Sequence, residues 1–105
     1  MATAKSKSSK TENKFQANLI REIKERFDGC VVLKNDANYI QGIPDLSVMH
    51  GNKWAMLECK KSAVEKHQPN QDYYIEQCNN MSFARFIYPE NKEDVLDAME
   101  EFFKT

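Results

Sequence analysis

Asp45 and Glu58 are the residues whose types and spacing could do chemistry, because a tight turn between them would bring two carboxylates face to face. His50-Gly51-Asn52-Lys53 lies between them, and Gly-Asn flanked by apolar runs is a hairpin signal. With Gly51 and Asn52 as the turn, position 50 faces 53 and 49 faces 54, and the same register sets Asp45 opposite Glu58. Directly opposed residues of an antiparallel pair have Cβ atoms roughly 4.5–5.5 Å apart, where like charges repel unless a cation lies between them. Strand alternation puts Trp54, Met56, Glu58 and Lys60 on one face and Ala55, Leu57 and Cys59 on the other, so a lysine joins the two acids.

This donor set suits a hard divalent cation such as Mg²⁺. Such hard cations take oxygen ligands and are usually held by one or two carboxylates plus waters and substrate phosphate oxygens. The backbone carbonyl of Cys59 is a further expected ligand, and the Cys59 thiol has no part in it. An ion so held can polarise a phosphoryl oxygen, acidify a water and align its attack, as phosphodiester hydrolysis requires. Lys60 would hold the attacking water or offset the negative charge that builds on the phosphorus centre, acting as a preplaced cation rather than a general base. Pro44 fixes its own φ, lacks an amide proton and biases Ile43 toward an extended backbone, which fits the start of a strand. The same spacing also fits an exposed cross-strand charge cluster without chemistry.

The positioning elements follow from periodicity. Phe15, Leu19, Ile20, Ile23 and Phe27 recur at helical spacing and Asp28-Gly29 is a stop signal, so a first helix is predicted over 11–27, preceded by a mobile basic tail over 1–10. Cys30 to Leu33 reads as a strand, 34–42 as an Asn-rich loop, and 46–49 and 53–60 as the hairpin strands. Pro69 fits the first turn of a second helix ending near Asn79, with Tyr73, Tyr74, Ile75 and Cys78 on its apolar side. Phe83 to Tyr88 is a further strand. Asn91 can cap a last helix whose Val95, Leu96, Met99, Phe102 and Phe103 form a core stripe. The order is αβββαβα.

At 105 residues the chain is long enough for one domain and one core, predicted over 11–105. No apolar run approaches the ~20 residues that span a bilayer and no signal-peptide core is visible, which predicts a cytoplasmic protein with no membrane partner. Cys30, Cys59 and Cys78 are odd in number and lack metal-knuckle spacing, so they are expected to be reduced and mostly buried. The net charge of -1 is unusual for a dedicated nucleic-acid binder, but it averages a basic front (Lys5, Lys7, Lys10, Lys14) and an acidic last stretch from Glu90 to Glu101. A polyanion would meet the front and the hairpin, where Lys34, Lys61 and Lys66 are the candidate contacts.

Gly42-Ile43-Pro44-Asp45-Leu46 followed by Leu57-Glu58-Cys59-Lys60-Lys61, with Gln71 in the next helix, resembles the PD-(D/E)xK nucleases, and specifically the compact stand-alone VRR-NUC domains of bacteriophages. The resemblance runs from about Thr11 to Phe103. It implies a restriction-endonuclease-like α/β domain with a mixed four-stranded sheet flanked by helices. It further implies Mg²⁺ or Mn²⁺ at Asp45 and Glu58, Lys60 as the catalytic lysine, and Gln71 near the metal. The family pattern also places an acid on the first helix. Glu12 matches it best, Glu22 being the other candidate, although Ser9 with Glu12 also satisfies a purely structural capping box.

The activity implied is a metal-dependent endodeoxyribonuclease acting on branched DNA in the manner of Holliday-junction resolvases. By the same resemblance it is a homodimer without a small-molecule cofactor, working in a bacterial host's cytoplasm if phage-encoded. A single small site also cuts two strands most economically by pairing with itself. The alternatives are a non-catalytic nucleic-acid-binding module of the same fold, or a regulatory protein whose acidic last helix contacts another protein. His50 and His67 lack ligand partners at zinc spacing and read as turn and loop residues. Tyr39 and Trp54 could stack on bases, whereas Tyr73 and Tyr74 are expected to pack in the core.

Overall fold

The computed structural model describes residues 3–105, and side chains from Thr11 onward. Helix α1 (Thr3–Arg26) leads into strand β1 (Val31–Lys34) and the hairpin of β2 (Leu46–His50) and β3 (Lys53–Cys59). Helix α2 (Gln71–Met81), strand β4 (Phe83–Ile87) and helix α3 (Lys92–Lys104) complete the chain. The order is the one periodicity predicts, with shifted ends. The backbone of α1 is helical from Thr3 rather than from Thr11, so Ser9 lies within the helix and is not its cap. Of the segment 1–10, expected as a mobile tail, the backbone of 3–10 is helical, while residues 1 and 2 and the side chains of 3–10 lie outside the described residues.

The four strands form one mixed sheet in the order β1-β2-β3-β4, antiparallel except for the parallel β3–β4 pair that α2 connects. The hairpin register is the predicted one: His50 pairs with Lys53, Met49 with Trp54, and so on to Leu46 with Leu57. Gly51 turns it at φ 63°, in the left-handed region that glycine enters without steric cost. Every second residue of β3 then faces one way. Ala55, Leu57 and Cys59 are fully buried with Leu46 and Val48 against Leu19, Ile23 and Phe27 of the α1 segment and Val95, Leu96 and Met99 of α3. On the opposite face, α2 covers β3 and β4 but not β1 and β2.

Two details differ from expectation. The Asn91 side chain makes no capping bond to α3; its Oδ1 accepts from the Tyr88 N–H and its Nδ2 donates to the Phe86 carbonyl, tying the helix start back to β4. Of the predicted apolar side of α2, only Cys78 is buried, while Tyr73 is 55% exposed and meets Tyr74 edge to face. Cys59 and Cys78 are buried, Cys30 is half-buried, and all are free thiols. No described helix is long and apolar enough to cross a membrane.

Candidate metal centre

Asp45 sits where the chain enters β2, and its neighbours fix it. Pro44 before it is fully buried. Asn35, just after β1, donates its backbone N–H to the Asp45 carbonyl (2.8 Å) and its Nδ2 to the Pro44 carbonyl (2.8 Å) and Ser47 Oγ (3.0 Å). Asp45 Oδ2 in turn accepts the Cys59 backbone N–H across the hairpin at 2.9 Å. In an extended strand, the N–H and C=O of one residue point to the same side. The Cys59 carbonyl therefore opens toward Asp45, the side the expected metal ligand requires.

Glu58 and Lys60 are 3% and 2% exposed. That burial does not fit an exposed cross-strand charge cluster, although Asp45 and Glu12 beside them are half-buried. Gln71 joins them: its Nε2 donates to Glu58 Oε2 (3.0 Å) and its Oε1 accepts from Lys60 Nζ (2.7 Å) and from the Gln68 N–H (2.8 Å). Lys60 Nζ also donates to the Lys66 carbonyl at 3.2 Å. Gln71 is the first residue of α2, not a turn inside a helix begun at Pro69, because Asn70 takes a left-handed φ of 72°. Gly42 lies against that residue. A Cβ on Gly42 would stand 2.5 Å from Asn70 Cβ and 2.8 Å from its carbonyl carbon, and Gly42 itself has φ 90°. The segment leading to Pro44-Asp45 and the start of α2 thus meet at a separation that only glycine permits.

Glu12 of α1 completes the group. One carboxylate oxygen each from Glu12, Asp45 and Glu58 lie within 4.8 Å of one another. Glu22, the other first-helix candidate, is instead paired with Lys92 at 2.9 Å. Burial, and then the charge of Asp45, push Glu58 up to about 8. Burial, followed by the charges of Glu65 and Asp45, raises Glu12 to about 6. Burial raises Asp45 as well, opposed mainly by the Cys59 N–H. With Lys60 and the exposed Lys61 as nearby cations, the three acids remain short of positive charge. Three converging oxygen donors with a charge deficit fit a hard divalent cation. The Cys59 thiol, held in the core and pushed up by burial, does not suit a zinc ligand.

Lys34, Lys61 and Lys66 are all exposed. Lys61 donates its backbone N–H to Glu65 Oε1 and its charge lowers the Glu12 pKa, whereas Lys66 contributes its carbonyl to Lys60. His67 is stacked on Phe86 (ring centroids 4.0 Å apart) with Nδ1 2.8 Å from Asp72 Oδ1. His50 ends β2 rather than lying in the turn, and its ring packs against Phe27 and Phe103. Asn35, Ser47 and Glu65 are site neighbours that sequence reasoning missed, whereas Gly42 belongs to the quoted motif and only its contact with Asn70 is new. Comparison with protein-family models, with curated proteins and with solved structures gives no match.

Proposed function

We propose that the chain is a divalent-metal-dependent endodeoxyribonuclease of the PD-(D/E)xK type, similar to the stand-alone VRR-NUC domains. The observation that carries this reading is the convergence of Glu12, Asp45 and Glu58 within 4.8 Å, next to a buried Lys60 that Gln71 ties to Glu58. The four motif positions Asp45, Glu58, Lys60 and Gln71 and the first-helix acid Glu12 all lie in one cluster, as the motif resemblance requires. Glu12, Asp45 and Glu58, with the Cys59 carbonyl, would hold Mg²⁺ or Mn²⁺. Such an ion supplies Lewis acidity toward a phosphoryl oxygen and a more acidic water.

The chain's own residues do the rest. Lys60 presents an ammonium group beside the acids, oriented by Gln71 Oε1 and the Lys66 carbonyl, where it can meet the charge of a scissile phosphate. Gln71 keeps Glu58 and Lys60 in one geometry. The Asn35 bonds and the Gly42 contact fix the acid-bearing backbone, so little reorganisation is needed when substrate arrives. Preference for branched DNA and work in a host cytoplasm rest on the motif resemblance alone.

The test is a panel of four-way junction, flap, single-stranded and linear duplex DNA with Mg²⁺, Mn²⁺ or EDTA, using wild type and Lys60→Ala. Cleavage that needs the metal, is strongest on the junction and is lost in Lys60→Ala is expected. DNA retained equally with and without Mg²⁺, with no cut in any substrate, would instead establish a binding module.

A further inference from the structure

The loop between β1 and β2 does more than deliver the chain to Asp45. It is tightly folded: the Asp36 carbonyl accepts from the N–H groups of Tyr39 (3.0 Å) and Ile40 (3.3 Å), and the Ile43 N–H donates to the Ile40 carbonyl (3.2 Å). Asp36 Oδ1 also accepts from the Asn38 N–H at 2.8 Å. Against the sheet this loop forms an open cavity of about 230 Å³, lined by Asn35, Asp36, Tyr39, Ile40, Ile43 and Met56. Two of these residues tie the cavity to the acid cluster. Ile43 lies two residues before Asp45, and Met56 lies one alternation before Glu58 on the same face of β3. Two residues of extended strand cover about 7 Å, and nucleotides of one DNA strand are about 3.4 Å apart along the helix. A strand with a phosphate at Asp45 and Glu58 therefore has the base of the same or the next nucleotide within reach of the cavity.

The lining selects among the parts of a nucleic acid. None of its residues is basic, and Asp36 repels a phosphate. The half-buried Ile40, Ile43 and Met56 favour a flat apolar group, and Tyr39, 85% exposed, presents a ring face on which a base can stack. The Asn35 amide is already engaged with the Pro44 carbonyl and Ser47 Oγ. Asp36 Oδ2 receives no hydrogen bond from a described residue, and a carboxylate oxygen can only accept. The complementary group is a base that donates from an exocyclic amino group.

We propose that this cavity is a subsite for one unpaired, amino-bearing nucleobase next to the scissile phosphate, with Tyr39 stacked on the base and Asp36 Oδ2 accepting from its amino group. A base within a duplex is stacked on both faces, so only an unpaired one can enter. The proposal rests on the nuclease reading for what lies at the acid cluster, and it makes unpaired cytosine, adenine or guanine beside the cut, rather than thymine, the feature that the site selects.

The test separates binding from cleavage. Fluorescence anisotropy is read in mildly alkaline buffer with Ca²⁺ and neither Mg²⁺ nor Mn²⁺, on ~12-nucleotide single strands of deoxycytidine, deoxyadenosine or thymidine shown intact by electrophoresis. Wild type should bind the first two roughly tenfold more tightly than the third. Tyr39→Ala, folded by circular dichroism, should weaken binding to all three about tenfold through the lost stacking contact. Asp36→Asn can keep Oδ1 for the Asn38 N–H and turns the open oxygen into an amide donor, so it should abolish the preference over thymidine. In Mg²⁺, an abasic nucleotide next to the cut should slow wild type about tenfold and Tyr39→Ala no further. Equal affinity of wild type for the three strands, no binding, a preference that survives Asp36→Asn, binding that Tyr39→Ala leaves unchanged, or equal abasic slowing of both enzymes overturns the proposal. The base preference together with no cut in any substrate would uphold the subsite and overturn the nuclease reading instead.

Discussion

The protein gathers three carboxylates in two places, and only one group is matched by as many cations. On the surface between α1 and α3, Arg26 takes Glu93, Asp97 and Glu100 around a single guanidinium, with Glu100 at 2.9 Å, and the hydrogen bond from Arg26 holds Glu100 below the usual carboxylate range. At the end of the hairpin, Glu12, Asp45 and Glu58 converge with one lysine already engaged by Gln71 and a backbone carbonyl, and all three acids are raised. With Lys92 beside Glu93 (3.8 Å) and Lys104 beside Glu100 (3.5 Å), the first cluster sets three cations against its three carboxylates and does structural work. The second has a buried Glu58 between two half-buried acids, so a cation supplied from outside would relieve their mutual repulsion.

The widest separation between the clusters is expected in activity. Asp45→Ala or Glu58→Ala should lower metal-dependent cleavage by at least ~10³-fold, and Lys60→Ala by ~10²–10³-fold, in single-turnover assays. Gln71→Ala, which leaves every charged group in place, should cost ~10–100-fold. Arg26→Ala should leave the rate unchanged. Stability should separate them next. Mn²⁺ or Mg²⁺ at about 100 times its Kd stabilises the native state by ~2.7 kcal/mol, so thermal unfolding should shift up by roughly 10 °C in wild type and in Arg26→Ala, but not in Asp45→Asn.

The pH dependence should have opposite signs. Glu58 is raised from 4.5 to about 8 in the folded state, so in EDTA its stabilising contribution is full below pH 4.5 and is lost as pH rises through 8. Glu100 is lowered, so its contribution is present above its ordinary value and is lost as pH falls through the folded one. Denaturant titrations in EDTA should therefore show Glu58→Gln flattening the alkaline side and Arg26→Ala the acid side. The smallest effect belongs to the surface cluster: Arg26→Ala should lower Tm by no more than ~5 °C, because exposed ion pairs contribute little.

The legible parts of this molecule are those governed by short periods. The hairpin register followed from Gly51-Asn52, and with it the meeting of Asp45 and Glu58 and the split of β3 into a core face and a site face. The α3 stripe of Val95, Leu96 and Met99 followed in the same way. Convergence of Glu12 and Gln71 on the site was visible only through motif resemblance, since neither helix spacing nor charge points from α1 or α2 to the hairpin. The unforeseen contacts act through the backbone. Asn35 bonds to main chain around Asp45, Gly42 matters because Asn70 stands against it, and Asn91 turns back to β4 instead of capping α3. Such contacts join positions far apart in sequence and leave no periodic trace. Burial of Glu58 and Lys60 was likewise unforeseen, because it depends on α2 and the 61–70 loop closing over that face.

The need of the hairpin cluster for a cation is tested most directly by Mn²⁺ titration followed by electron paramagnetic resonance of the free ion. Wild type and Arg26→Ala should both deplete the free-ion signal, while Asp45→Asn and Glu58→Gln, folded by circular dichroism, should leave it as in buffer. Undiminished Mn²⁺ uptake by both site variants, or none by wild type, would contradict the account.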